Sequence, residues 1–395
     1  MKPHSHLWDI FCQVVDNHGD LGVCWRLSQH LLRLGQKVRL YVDQPEALSW
    51  MAPHHQALKG LTLLPWPTQE NSAQWRVEKD QTWNTPQCVV EAFGCEIPQV
   101  YLEHLSQNEQ MRPNAGNTAP NWIWINLEYL SAEDYPDRQH RMASPVMHGA
   151  AKGKTKWFFY PGFTAQTGGL LKKFEDLDAK DHLQQRQEQD PLKWALNAQL
   201  KIFLFSYEPQ ALSPFLLDLS RRHNPTHLKV SVGRSAALVQ RALESRDIKV
   251  NVVHHSNQVK QLHQLRIEFI SAIDHLAFDA LLTSSDLNFV RGEDSWVRAI
   301  WAQKPFIWQI YPQDDGVHLE KMNAFLRRFN APPSLVNAHR IWNGFEHAAL
   351  PSLQAELLNE WRVWSLALAN ELTKMPDLAE QLCDFLALKL QETSA

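Results

Sequence analysis
Two short runs of the chain combine residue types that do chemistry at spacings that let them act together. The first is VVDNHGDLG, in which Asp16, Asn17, His18, Gly19 and Asp20 stand together. Two carboxylates four residues apart at a turn would repel a phosphate, but they suit the reception of a cation or the removal of a proton. The glycines permit tight turning and close backbone approach, and a helix that follows offers unpaired N–H groups. The same residues also fit a plain local role, with Asp20 capping the helix and Asp16 closing an Asx-turn.

The second run, NFVRGEDSWVR, inverts the charge logic. Arg291, a glycine at 292 that lets backbone approach, and a helix N-terminus at Glu293, Asp294 and Ser295 make a ready diphosphate site. Ser295 has a hydroxyl to donate. An acidic first turn offsetting the helix dipole accounts for Glu293 and Asp294, but not for Arg291 and Gly292. In FLFSYE, Tyr207 falls at the carboxyl edge of a strand, where it can hydrogen-bond a phosphate or stack on a base. Strand alternation makes Phe203 core, while Phe205 and Phe278 are open to either role. KWFFYPGF, followed by Thr164, Thr167 and Gly168-Gly169, either lines a cleft or packs internally.

These runs need elements to hold them. The 395 residues suggest about two or three domains. With 44% apolar and 21% charged side chains the chain is an ordinary globular protein able to bury a core. A net charge of -4, from 39 basic and 43 acidic groups, gives no global positive field for nucleic acid or an anionic bilayer, so an anionic ligand needs a local site. No secretory leader or membrane span is written in the N-terminus or elsewhere. Five cysteines without C-x-x-C encode neither a disulfide framework nor a zinc site, and the reading is cytoplasmic. Nineteen histidines include no H-E-x-x-H, and His254-His255 would point apart on a strand, so no metal is expected. The 16 tryptophans are many; Trp25, Trp296 and Trp301 fit helix packing.

Hydrophobic patterning reads as strand, helix, strand at LWDIFCQVV, GDLGVCWRLSQHLLRL and KVRLYVD, a βαβ unit with Gly35 closing the helix. Further strands are expected at LTLLPWP, CVVEAF, NWIWINLEYL and KWFFYPGF. The polar stretch between Phe174 and Trp194 reads as a linker. The alternation then restarts at KIFLFSY and runs through HLKVSVG, IKVNVVH, RIEFIS, LNFV and FIWQIY, with helices between. The prediction is α/β: two Rossmann-like domains with parallel sheets, at 1–180 and 196–365, a linker at 181–195, and a helical tail at 366–395 that packs back on the first domain. A cleft between the domains is the default ligand site. Both constellations then follow a parallel strand at its carboxyl end, where open α/β sheets bind ligands.

Two α/β domains, a carboxylate pair in one and an Arg-Gly diphosphate site in the other, describe a GT-B glycosyltransferase acting on a nucleotide sugar. The runs WDIFCQVVDNHGDLGVCWRL, KWFFYPGFTAQTGGLL, FSYE and DLNFVRGEDSWVRAIWAQKPFIWQIYPQ, continuing through HLEKMNAFL, resemble the elongation factor P arginine rhamnosyltransferase family over nearly the whole chain. The resemblance implies dTDP-β-L-rhamnose as donor, an arginine in the N-terminal domain of elongation factor P as acceptor, and inversion without a metal or cofactor. It assigns the general base to Asp20, with Asp16 beside it and Glu293 as a third functional acid. Asn17, His18 and Gly19 share that first loop. Tyr207, Arg291, Gly292, Asp294 and Ser295 take donor-binding positions, and Phe205 and Phe278 an aromatic thymine pocket. Phe269 is the candidate for a further pocket aromatic, with Ala272 as the competing register, and the family's base-binding glutamine has no match there. Two other readings share parts of this pattern: a sugar-nucleotide epimerase, which needs no protein acceptor, and a non-catalytic partner of elongation factor P. A Rossmann dehydrogenase lacks its glycine fingerprint.

Overall fold
The computed structural model describes residues 5–14, 19–75, 85–110, 122–173, 199–244, 251–253, 259–262, 264–311 and 317–394. Asp16, Asn17, His18, the 181–195 linker and His254-His255 lie outside them. Contacts divide the chain into two units, Met1–Leu171 with Lys374–Ala395, and Lys172–Thr373.

In the first unit β1 (Leu7–Cys12), β2 (Lys37–Val42), β3 (Leu61–Pro65), β4 (Cys88–Ala92), β5 (Ile123–Leu127), β6 (Ala143–Pro145) and β7 (Thr155–Phe159) form one sheet of order β3-β2-β1-β4-β5-β7-β6. Both faces are covered, one by apolar packing and the other by aromatic packing around the buried Asp9–Arg39 pair. On one face Trp8, Ile10 and Cys12 pack with Leu21, Cys24, Leu27 and Leu31 of the Gly19–Arg33 helix. On the other, Phe11 packs with Tyr101 and Leu105 of the Gln99–Gln110 helix. The Leu378–Ser394 helix returns to this unit as the sequence predicts, adding Leu378, Leu382, Phe385 and Leu386 to the first face. Gly168 and Gly169 belong to that packing. A Cβ at Gly169 would stand 2.3 Å from the Pro376 carbonyl oxygen, and one at Gly168 would stand 2.5 Å from the Phe159 ring.

The second unit repeats the plan. β8 (Leu200–Leu204), β9 (Thr226–Ser231), β10 (Asn251–Val253), β11 (Val259–Leu262), β12 (Leu265–Ile270), β13 (Leu287–Arg291) and β14 (Phe306–Gln309) are ordered β10-β11-β12-β9-β8-β13-β14. The sheets are not wholly parallel, which corrects the sequence reading at their edges: β6 runs antiparallel to β7, and β11 runs antiparallel to both β10 and β12. The linkers there have fewer residues than the dozen or more that a crossover between parallel strands needs.

In each sheet the chain first fills one side of its first strand and then crosses to fill the other. The reversal lies between β1 and β4 in the first sheet and between β8 and β13 in the second. Such a switch point leaves a crevice at the carboxyl ends of the strands. The run that begins at Gln13 leaves β1 there, and the Arg291-Gly292-Glu293 turn leaves β13. Among the described residues no helix is long and apolar enough to cross a membrane.

Candidate functional site
The second unit's switch point gathers most of the predicted donor residues. Phe205 and Tyr207 follow β8, and the Phe205 N–H donates to the Phe289 carbonyl on β13 at 3.0 Å, holding the two strand ends together. The Arg291 guanidinium lies 4.4 Å from the centre of the Phe205 ring and 4.8 Å from that of Tyr207, a cation held against two aromatic faces. Phe278 meets the Phe205 ring edge-on at 5.3 Å. It sits on the His275–Ser284 helix, which Asp274 caps by accepting the Ala277 N–H at 2.8 Å. Phe203 is fully buried, as its strand position predicts. Phe269 lies near the carboxyl end of β12, two strands from β8.

Gly292 has φ +62°, the left-handed region that glycine enters without a Cβ penalty, and a Cβ there would stand 3.4 Å from the Tyr207 hydroxyl. The turn it makes brings the chain from β13 into the Asp294–Ala302 helix, with Glu293 at the N-cap and Asp294 in the first turn. The first amides of that helix have no intrahelical partner, so the turn presents backbone donors beside a guanidinium. Ser295 is engaged by the turn itself. Its hydroxyl donates to the Arg291 carbonyl and accepts the Arg291 N–H at 3.0 Å, so it fixes the turn from within.

Three residues that the sequence reading missed complete this architecture. The buried Gln309 at the end of β14 accepts the Tyr207 N–H at 2.8 Å. Trp308 donates its indole N–H to the Gly292 carbonyl at 2.8 Å while stacking on Trp296 at 3.7 Å. Lys321, on the Val317–Arg328 helix, pairs with Glu293 at 2.8 Å, with both side chains mostly buried. The one visible signal was a polar Gln at the end of an apolar strand run. The contacts themselves join elements that the sequence keeps apart.

In the first unit, Gly19 and Asp20 open the Gly19–Arg33 helix at the switch point between β1 and β4. Gly19 is not forced by packing, since a Cβ there meets no atom within 4 Å. The Asp20 carboxylate is close enough to the end of β1 that its charge, with that of Asp43, helps raise the Cys12 thiol pKa. The larger causes of that rise are the hydrogen bond with Cys24 and burial. Burial likewise holds Cys88 well up and pushes Cys383 up to about 12, so these thiols are not nucleophiles at neutral pH. All five cysteines are free. Among the described residues no three His, Cys, Asp or Glu side chains form a metal-ligand group.

With this geometry, comparison with known proteins is specific. The family model described as Elongation-Factor P (EF-P) rhamnosyltransferase EarP matches residues 8–387. The chain is 36% identical over 401 residues to the protein-arginine rhamnosyltransferase of Pseudomonas aeruginosa, covering 96% of this chain and 98% of that relative. It is 31% identical over 403 residues to the enzyme of the same name from Neisseria meningitidis, with 96% of each covered. Among solved structures it is similar, with a TM-score of 0.54 and 25% identity over 96% of this chain and 98% of the other, to one reported as the structural basis for EarP-mediated arginine glycosylation of translation elongation factor EF-P.

Proposed function
The chain belongs to the elongation factor P rhamnosyltransferase family, and from that membership we infer that it moves L-rhamnose from dTDP-β-L-rhamnose to an arginine side chain in the N-terminal domain of elongation factor P, inverting the anomeric carbon. Its setting is the cytoplasm, where a translation factor is met. The observation that supports the donor half is the Arg291-Gly292 turn, which faces Phe205 and Tyr207 across the switch point of the second sheet.

An arginine side chain is a poor nucleophile, because its pKa exceeds about 12 and its lone pair is delocalised. Carboxylates address both difficulties. Asp20 and Asp16 orient the guanidinium by charge-assisted hydrogen bonds, and Asp20 accepts the proton as the nitrogen attacks. The new C–N bond forms on the face opposite the bond to the diphosphate oxygen, which breaks and leaves its electron pair on dTDP. That charge meets Arg291 and the free amides of the Asp294–Ala302 helix, with no metal or cofactor in the scheme. Phe205 and Phe278 supply the faces for thymine. Asp294 stands beside the diphosphate. Glu293, steadied by Lys321, addresses the rhamnose hydroxyls or the acceptor.

The test is incubation with dTDP-L-rhamnose and elongation factor P, followed by intact-mass analysis of the factor. A gain of one deoxyhexosyl group with matching release of dTDP is expected. Donor consumed without a mass change would instead mark an epimerase, and binding of the factor without dTDP release a non-catalytic partner. Asp20→Asn is expected to slow transfer by about 10²-fold or more. A wild-type rate in that variant removes Asp20 as the base.

A further inference from the structure
The Asp294–Ala302 helix opens with Glu293 at its N-cap, a position whose side-chain oxygen ordinarily accepts a first-turn amide. Glu293 makes no such bond. Its carbonyl accepts the Val297 N–H at 3.0 Å, while its carboxylate is paired at 2.8 Å with Lys321 of the Val317–Arg328 helix. The Ser295 hydroxyl is bonded to the Arg291 backbone. Glu293 and Ser295 both carry oxygens suited to the first amides of this helix, and both are engaged away from them.

Lys321 is not a loose surface lysine. Its side chain is 19% exposed and that of Glu293 18%. The next residue, Met322, is fully buried, and Phe325, one turn on, meets the Trp296 ring edge-on at 4.7 Å. Trp296 lies on the helix that follows Glu293, so the two helices are packed together where the pair forms. An ion pair this enclosed adds little net stability, since desolvation of the two charges offsets their attraction. Its consequence is direction, because it fixes where the Glu293 carboxylate points. A carboxylate at the start of a helix is attracted to the unpaired amides there and to a neighbouring cation, here Arg291 two residues earlier. Those are the groups that the proposed function gives to the donor diphosphate. A carboxylate lying on them would occupy them and repel the second anion.

We propose that Lys321 is a positioning residue for donor binding: it holds the Glu293 carboxylate off the first-turn amides and Arg291, and so keeps that end of the helix open to the diphosphate of a nucleotide sugar. The inference rests on the reading of the Arg291-Gly292 turn as the donor site. Lys321 acts through Glu293 and does not itself touch the diphosphate.

The experiment is calorimetric titration of the full chain with dTDP and with thymidine, which lacks the diphosphate. Lys321→Met is expected to weaken dTDP binding about tenfold and to leave thymidine binding at its wild-type value. Lys321→Arg, which keeps a cation for Glu293, is expected to retain most of the dTDP affinity. In a Glu293→Gln background there is no charge to hold back, and adding Lys321→Met is expected to change dTDP affinity by less than about twofold. A full tenfold loss in that background overturns the proposal, because Lys321 would then act on the diphosphate directly. Parallel losses of dTDP and thymidine binding in Lys321→Met also overturn it, since they mark a general disturbance of the fold, and so does wild-type dTDP affinity in that variant. If the wild type itself binds no dTDP, the donor reading of the turn fails instead, and the same titration tells the two failures apart.

Discussion
At Gly292 two demands meet on one residue, a left-handed φ and a carbonyl that accepts the Trp308 indole N–H, beside the Tyr207 hydroxyl. Gly292→Ala introduces an L-residue into that region at a cost of about 1–2 kcal/mol, and sets its methyl in contact with the Tyr207 hydroxyl. The expected result is dTDP affinity weaker by roughly tenfold in a calorimetric titration, the two effects together displacing the turn amides from the diphosphate. Wild-type affinity for dTDP would show that the diphosphate is held elsewhere. Much of this site was legible in the chain. Arg291 and Gly292 after an apolar strand admit few explanations other than an anion, and Phe205 and Tyr207 end a strand of the same kind. The bonds of Ser295 to the Arg291 backbone were not legible, because a hydroxyl four residues after Arg291 is as well placed for the local backbone as for a ligand.

Elements announced themselves where their periodicity was strong. The helices from Gly19 and to Ser394 and the central parallel strands carry apolar residues at regular intervals, whereas β6 and β11 are short strands with little apolar signal. The Pro333–Trp342 helix escaped notice behind its paired prolines, although proline suits a first helical turn. What fixes that helix to the sheet is His339. It is fully buried, with Nδ1–H donating to the Leu335 carbonyl at 2.9 Å and Nε2 accepting the Trp308 N–H at 3.1 Å, a tautomer assigned from these partners. Burial pulls its pKa from 6.5 down to about 4. The unfolded chain therefore binds a proton that the folded one refuses. The stability this gives is complete above pH 6.5 and is lost as pH falls toward 4, by about 3 kcal/mol in all. His140, also held at about 4 by burial, adds a similar slope in the first unit. His339→Gln is expected to lower the melting temperature at pH 7, since buried hydrogen bonds are disturbed. It should also shrink the further drop between pH 7 and pH 5. Equal drops in wild type and variant would mean that His339 does not carry the effect.

For the molecule as a whole, the first unit cannot finish until the last residues of the chain return to it. The Leu378–Ser394 helix is fastened there by several contacts at once. His30 pairs with Asp377 at 3.2 Å, and Arg141 donates to Gln381 at 2.9 Å while lying 5.5 Å from the Phe385 ring centre. Asp377 also caps the helix by accepting the Ala379 N–H at 2.8 Å. Lys389 covers the Trp157 ring at 3.9 Å. The tryptophan excess finds its use in such closures: Trp8, Trp296, Trp308, Trp342 and Trp361 are fully buried, two of them in the stack that supports the Gly292 turn. The entry to the returning helix depends on Gly169, at φ +74° with the Pro376 carbonyl oxygen 2.3 Å from where a Cβ would be. That neighbour is backbone and cannot rotate away. Gly169→Ala is expected to cost the first unit roughly 3 kcal/mol, from left-handed strain and overpacking together. Hydrogen exchange localises the effect. Amides of residues 378–394 and of the Gly19–Arg33 helix against which they pack should lose protection, while those of β8 and β13 keep theirs. Because Asp20 lies in the first turn of that helix, rhamnosyl transfer should fall in the variant while dTDP binding persists. Loss of dTDP binding in step with transfer would show instead that the returning helix governs both units.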